Sequence, residues 1–241
     1  METRERFPLS YFDSRKYIQH NVNIADGLGP ILAFMDSLPA ENTKVDVRRC
    51  FEDGDYSVAH AEYVLGDSGA LIGFEVHRWE DNRIVEHWDN LQSAPPSANP
   101  SGRTMTDGAD AVSDIPRSVE NKALVEDFVE RVLIGGDDAA LTTFFNGDEL
   151  IQHSPYYGDG LSAFREQLRR WRLEGRVTYG RVQKVLGEGN MVLVISEGTF
   201  GDEPGAFYDL YRVSNGKLAE HWDVIETIPP REKWQNDNGK F

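Results

Sequence analysis

Gly216-Lys-Leu-Ala-Glu-His-Trp-Asp223 follows an Asn215-Gly216 turn, and its last four residues repeat Glu86-His-Trp-Asp89 from earlier in the chain. Asn-Gly between strand-like flanks is a strong short-range hairpin signal. Other segments recur in the same order. Tyr17-Ile-Gln-His20 returns as Leu150-Ile-Gln-His153, and Asp26-Gly-Leu28 as Asp159-Gly-Leu161, each 133 positions on (20 to 153, 26 to 159). The two Glu-His-Trp-Asp segments lie 134 apart (86 to 220), so the register slips by one residue between the motifs. This is the mark of an internal duplication, and it sets the domain plan: a first repeat over residues 1–91, a Ser, Ala, Pro and Gly-rich flexible linker over 92–115, and a second repeat over 116–241.

Within the second repeat, Leu124, Val125, Phe128, Val129, Val132 and Leu133 fall on one face of a helix that Ser118 can cap and Gly135-Gly136 can stop. A short helix over Ala139 to Phe145 is expected next. Leu161, Phe164, Leu168 and Trp171 then keep helical spacing up to Gly175. Beyond it the period changes to that of strands: Val177 to Leu186, Met191 to Phe200, Phe207 to Val213 and Leu218 to Ile225. The first repeat carries the third helix, over Pro30 to Met35, and the four strands, but lacks the long opening helix. Helices followed by antiparallel strands give an α+β unit whose curved sheet wraps the helices into a cone with a mouth.

With 241 residues, 39% of them hydrophobic, the chain can bury two cores. Its longest wholly apolar stretch, Met191 to Ile195, is far short of the roughly 20 residues that span a bilayer. The start, METRERFP, has no apolar signal region, and the one cysteine, Cys50, cannot form an intramolecular disulfide, so a cytoplasmic location is expected. Forty-one acidic against 25 basic residues give a net charge of −16, which disfavours nucleic acid and anionic lipid as partners.

The pattern Y-I-Q-H, D-G-L and G-K-L-A-E-H-W-D resembles the SnoaL-like branch of the nuclear transport factor 2 (NTF2) superfamily. The tail, Pro229-Pro-Arg to Asn238-Gly-Lys-Phe241, is similar to the end of members labelled as aldol-condensation enzymes. The resemblance implies two tandem NTF2-like cone-shaped barrels. Members commonly pair through the outer sheet face, so it also implies an intrachain pseudo-dimer, which can pair again through any sheet face left free. The family cup holds cyclases, isomerases, dehydratases, epoxide hydrolases and binders without catalysis.

Counting back from the Asn215-Gly216 turn sets Leu210 opposite His221 and Tyr208 opposite Asp223. Tyr208, Leu210, His221 and Asp223 then share a face, with Asp209, Tyr211, Glu220 and Trp222 on the other. In the first repeat His87 and Asp89 share a face, with Glu86 and Trp88 opposite. An imidazole and a carboxylate two residues apart on a strand, with His153 or His20 reaching in as the family pattern implies, make an acid and base set for removing an α-proton and stabilising the enolate. The candidate catalytic residues are therefore His153, His221, Asp223, His20, His87 and Asp89. Candidate substrate contacts are Tyr208, Trp222, Tyr156, Tyr157 and Trp88. Each also has a plain structural reading: packing for the tryptophans, turn contacts for Tyr156 and Tyr157, backbone capping for His20 and His153. Asp26 and Asp159 read as helix N-caps.

His60, Glu62, His77 and His87 can approach one another across strands, but Ile195 and Tyr211 stand at the second-repeat positions of His60 and His77, and no H-x-x-x-H occurs, so no metal is expected. Phosphate loops and dinucleotide fingerprints are absent, and no cofactor is expected. The expected function is a cofactor-independent acid/base enzyme on a small, mostly apolar carbonyl compound, by aldol-type cyclisation, isomerisation or dehydration. A non-catalytic small-molecule binder or scaffold and an epoxide hydrolase are the alternatives. The second repeat, with its full set of helices, is expected to hold the better-formed site.

Overall fold

The computed structural model describes residues 7–67 and 69–241. The chain divides into two compact units, unit 1 running up to Ala94 and including Ile228–Phe241, and unit 2 comprising Pro95–Thr227.

Unit 1 contains β1 (Ile18–Gln19), α1 (Leu28–Ser37), β2 (Thr43–Asp53), β3 (Tyr56–Leu65), β4 (Ala70–Glu80) and β5 (Arg83–Ser93), in a sheet of order β1-β5-β4-β3-β2. Unit 2 contains α2 (Ser118–Phe128), which runs into a π-helical stretch over Val129–Ile134, then α3 (Leu141–Phe144), β6 (Ile151–Gln152), α4 (Leu161–Glu174), β7 (Val177–Glu188), β8 (Met191–Phe200), β9 (Glu203–Ser214) and β10 (Lys217–Thr227). Its sheet has the order β6-β10-β9-β8-β7. The chain is a tandem α+β pair. Among the described residues, one 3-10 turn (Phe7–Tyr11) is the only helical segment before β1, so unit 1 has no counterpart of α2.

Each sheet is an antiparallel meander with a two-residue strand added in parallel at one edge, Ile18–Gln19 against Glu86–His87 and Ile151–Gln152 against Glu220–His221. The Asn215-Gly216 turn forms as expected, with both residues at positive φ (52° and 72°), the conformation of a primed hairpin turn. Gly175 ends α4 in the left-handed region, and Arg176 N–H bonds back to Trp171 O at 2.9 Å.

The expected register in the last hairpin is off by one. A β-bulge at Ala219 leaves Leu218 opposite Val213 but puts His221 opposite Tyr211 and Asp223 opposite Asp209. Val85 plays the same part between β4 and β5, so His87 faces His77 and Asp89 faces Glu75. The residue skipped in each bulge reverses the partner's alternation. Tyr211 and Asp209 therefore share a face with His221 and Asp223, and Tyr208 and Leu210 lie on the opposite face with Trp222.

Four further expectations change. The segment expected as a flexible linker belongs largely to unit 2: Asn99 Nδ2 donates to Gln152 O, Ser154 O and Tyr157 O at 2.7–3.2 Å, and Arg103 forks onto Asp159. The last fourteen residues belong to unit 1, where Asn236 Nδ2 donates to Asn21 O and Ile24 O, both at 2.9 Å, and Asn238 Nδ2 to Gln19 O at 3.0 Å. Asp26 and Asp159 are not N-caps. They accept the N–H groups of Gln19 and Gln152, while Gly27 and Gly160 stand at the cap positions. Ser118 likewise does not cap α2; its hydroxyl donates to Ile115 O and accepts Gly189 N–H.

Unit 2 is filled. Phe128, at the centre, packs against Phe144, Phe145 and Tyr211 with ring centres 5.3–5.6 Å apart, and Leu161, Phe164, Leu168 and Trp171 from α4 join the same core. Unit 1, without those helices, keeps an internal cavity of about 280 Å³.

Candidate active site

The sheet fixes which side chains meet in the unit 1 cavity. Tyr17 and Asn21 flank β1, Tyr63 comes from β3, Glu75 and His77 from β4, and His87 and Asp89 from β5. They form a polar floor under apolar walls that include Phe12, Ile24, Ile31, Phe34, Met35 and Leu91.

His87 is held at both ring nitrogens. Nδ1 donates to Gln19 Oε1 at 2.8 Å and Nε2 to Glu75 Oε2 at 2.5 Å. Two acceptors on one ring call for two N–H groups, the imidazolium form. Burial disfavours that charge, but the hydrogen bond and charge of Glu75 outweigh it and hold His87 above the ordinary imidazole pKa. Burial likewise works against the Glu75 carboxylate, which His87, by hydrogen bond and charge, keeps below its usual range; the Tyr63 hydroxyl adds a further hydrogen bond.

His77 faces His87 across the strands, ring centres 4.9 Å apart. Burial, and then the charge of His87, push His77 down to about 3, so it is neutral near pH 7. Tyr17 accepts a hydrogen bond from Gln19 Nε2 at 3.4 Å; burial and the charges of Glu75 and Asp89 push its pKa far up, so its hydroxyl keeps its proton.

Asp89 Oδ2 accepts Asn21 Nδ2 at 2.6 Å. Its other oxygen, Oδ1, is buried and accepts no hydrogen bond; Lys240 Nζ, from the C-terminal tail, stands 3.6 Å away.

Unit 2 carries the same arrangement. His221 Nδ1 bonds to Gln152 Oε1 and Nε2 to Asp209 Oδ1, each at 3.0 Å, and Ser154 Oγ donates to Asp223 Oδ2 at 2.9 Å. Asp223 Oδ1 is again buried without a hydrogen bond. Burial, reinforced by the charge of Asp209 and opposed by that of His221, pushes Asp223 up to about 6. Here aromatic rings close over the set: Tyr211 stacks on His221 at 4.5 Å, and Phe164 and Tyr157 pack nearby. In unit 1 a cavity lies beside the paired His87 and Asp89.

The other candidates lie elsewhere. His20 and His153 are on the opposite sheet face from the cavity floor. Nε2 of each pairs with Glu86 or Glu220 at 2.9 and 2.8 Å, Nδ1 bonds to Gly239 O or Thr104 O, and the rings stack on Trp88 and Trp222. The parallel pairing of β1 and β6 puts Gln19 and Gln152 on the inner face, so the next residue, His20 or His153, faces out. Gly108, at φ 92°, packs against His153 and Glu220 where a Cβ would collide. Trp222 Nε1 donates to Asp107 O. Tyr208 is fully buried on that same outer face. Tyr157 is buried in the unit 2 core, and Tyr156 packs beside Trp171 and Phe200.

Glu75, Tyr63, Tyr17, Asn21, Gln19 and Lys240 were not among the candidates. The repeated Gln-His pair was a signal for Gln19; the bulge concealed Glu75.

No protein-family model matches the sequence, and no curated protein does. Solved structures that resemble it include a protein assigned as a ketosteroid isomerase from Kribbella flavida, 17% identical over 48% of this chain and 87% of that one, with a TM-score of 0.40. An LEH-like epoxide hydrolase from M. tuberculosis is 21% identical over 46% and 86%, TM-score 0.37. IdmH from Streptomyces antibioticus, assigned as a polyketide cyclase, is 16% identical over 44% and 92%, TM-score 0.37. Each of these likenesses spans about half of the chain.

Proposed function

We propose that the unit 1 cavity is the active site of a cofactor-independent acid/base enzyme that enolises a small, mostly apolar carbonyl compound, in an aldol-type cyclisation, isomerisation or dehydration. The observation that carries this reading is the Asp89 carboxylate among the residues lining a largely apolar cavity, one oxygen held by Asn21 and the other accepting no hydrogen bond, with Lys240 Nζ 3.6 Å from it. Buried polar atoms are nearly always hydrogen-bonded, and an acceptor left without such a bond marks either strain or a task.

In this reading the Asp89 carboxylate takes the α-proton. Asn21 fixes its orientation through Oδ2, and Lys240 Nζ stands 3.6 Å from Oδ1. The Tyr17 hydroxyl donates to the carbonyl oxygen as negative charge develops there. The His87–Glu75 ion pair holds β4 and β5 in register beneath the substrate and does not itself transfer a proton. At about 280 Å³ the cavity lies just under the common range for ligand pockets, about 300–1,000 Å³, which favours a small substrate.

The test is NMR-detected deuterium exchange at the α-carbon of a panel of ketones and β-dicarbonyls in D₂O. Catalysed exchange that Asp89→Asn abolishes supports the reading. Saturable binding of the same compounds with no exchange supports a binding module instead.

A further inference from the structure

Glu75, His77 and His87 present one ligand atom each, all within 4.8 Å of one another, and among the described residues no other trio of His, Cys, Asp or Glu side chains does so. We propose that these three residues form a site for a divalent first-row transition ion, with zinc the representative, on the floor of the unit 1 cavity.

Several independent features favour an ion here. Two imidazoles and one carboxylate are a donor set suited to zinc and its neighbours, and three protein ligands leave a position open toward the cavity. The strand register supplies the geometry: His77 and His87 are directly opposed, and Glu75 is two residues along the same face. The supporting contacts are already in place. Gln19 Oε1 accepts Nδ1–H of His87, which leaves Nε2 as its ligand atom, and the Tyr63 hydroxyl bonds to Glu75. The His77 ring packs against Phe12 and His87, with centres 6.3 and 4.9 Å apart, and brings a ring nitrogen within 4.8 Å of the other two ligand atoms. Asp89, opposite Glu75, adds a second negative charge to offset the ion.

Proton balance is simple. Binding displaces the Nε2 proton of His87, which leaves to solvent, and metal–nitrogen and metal–oxygen bonds replace the His87–Glu75 hydrogen bond. Unit 2 is the internal comparison: Tyr211 occupies the position of His77, so its trio lacks one ligand.

The proposal does not rest on the acid/base reading, since its readout is binding; a protein that exchanges no α-protons can still take up the ion, and the reverse. Metal-stripped protein carrying Cys50→Ser, which removes the exposed thiol, is titrated with Zn²⁺ against a chromophoric chelator. The expected result is one equivalent per chain at micromolar Kd or tighter, weakened at least 100-fold by His77→Tyr. That substitution copies the residue unit 2 already accommodates, and circular dichroism confirms that the variant is folded. Zinc uptake below the chelator's detection range, or uptake unchanged by His77→Tyr in a folded variant, overturns the proposal.

Discussion

Glu75 and Asp89 stand directly opposite each other across β4 and β5, two carboxylates on one sheet face with different attachments. Glu75 is committed to His87 at 2.5 Å, whereas one Asp89 oxygen accepts no hydrogen bond and faces Lys240 Nζ at 3.6 Å. The division of labour predicts different phenotypes. Asp89→Asn should reduce turnover by about 10²–10⁴-fold, and because it strips the buried Lys240 of this ion-pair partner it should also cost about 1–3 kcal/mol. Glu75→Gln should destabilise unit 1 by about 1–3 kcal/mol, less than the 3–5 typical of a fully buried pair because the Glu75 side chain is 21% exposed. Steady-state kinetics and urea denaturation on both variants separate the two effects.

Tyr17→Phe removes a donor whose contribution, in this account, is confined to the developing oxyanion. A fall in kcat of roughly 10²-fold with KM changed by less than a few-fold is expected. A change in KM alone would assign Tyr17 to ground-state binding.

Asp223 gives a pH signature in unit 2. Its pKa is raised by burial from 3.8 to about 6, so between those values the folded state holds more protons than the unfolded chain and stability falls as pH rises. Asp223→Asn should therefore stabilise unit 2 at pH 7, by on the order of 1–3 kcal/mol, with the gain fading below about pH 4. Thermal melts of wild type and variant at pH 4 and pH 7 measure this.

The two asparagines of the arm segments should behave alike. Asn236 ties the tail to Asn21 and Ile24 in unit 1, and Asn99 ties the inter-repeat segment to the Gln152–Tyr157 backbone in unit 2. Both are buried. Alanine at either position should cost about 1–3 kcal/mol in the transition of its own unit, read by chemical denaturation.

The repeat, the four long strands of each unit and the shared face of His87 and Asp89 were legible because motif spacing and period-two alternation carry them. Glu75 and Asp209 were not, since a single skipped residue, Val85 or Ala219, reverses the partner strand's faces without altering either strand's own pattern. His20 and His153 were placed inside on resemblance; the two-residue strand that turns them outward is too short to have a period. The Pro-rich segment looked like a linker because its order comes from side chains such as Asn99 and Arg103 reaching distant backbone, not from local periodicity. The missing opening helix was visible, and the structure has no counterpart of α2 before β1 among the described residues of unit 1.

The central claim, that the open unit 1 cavity and its Asp89 do the chemistry, is tested most directly by α-proton exchange rates of Asp89→Asn and Asp223→Asn measured side by side on the same ketone. The account predicts exchange lost in Asp89→Asn and kept within a few-fold of wild type in Asp223→Asn. Exchange lost only in Asp223→Asn would place the working site in unit 2 and contradict it.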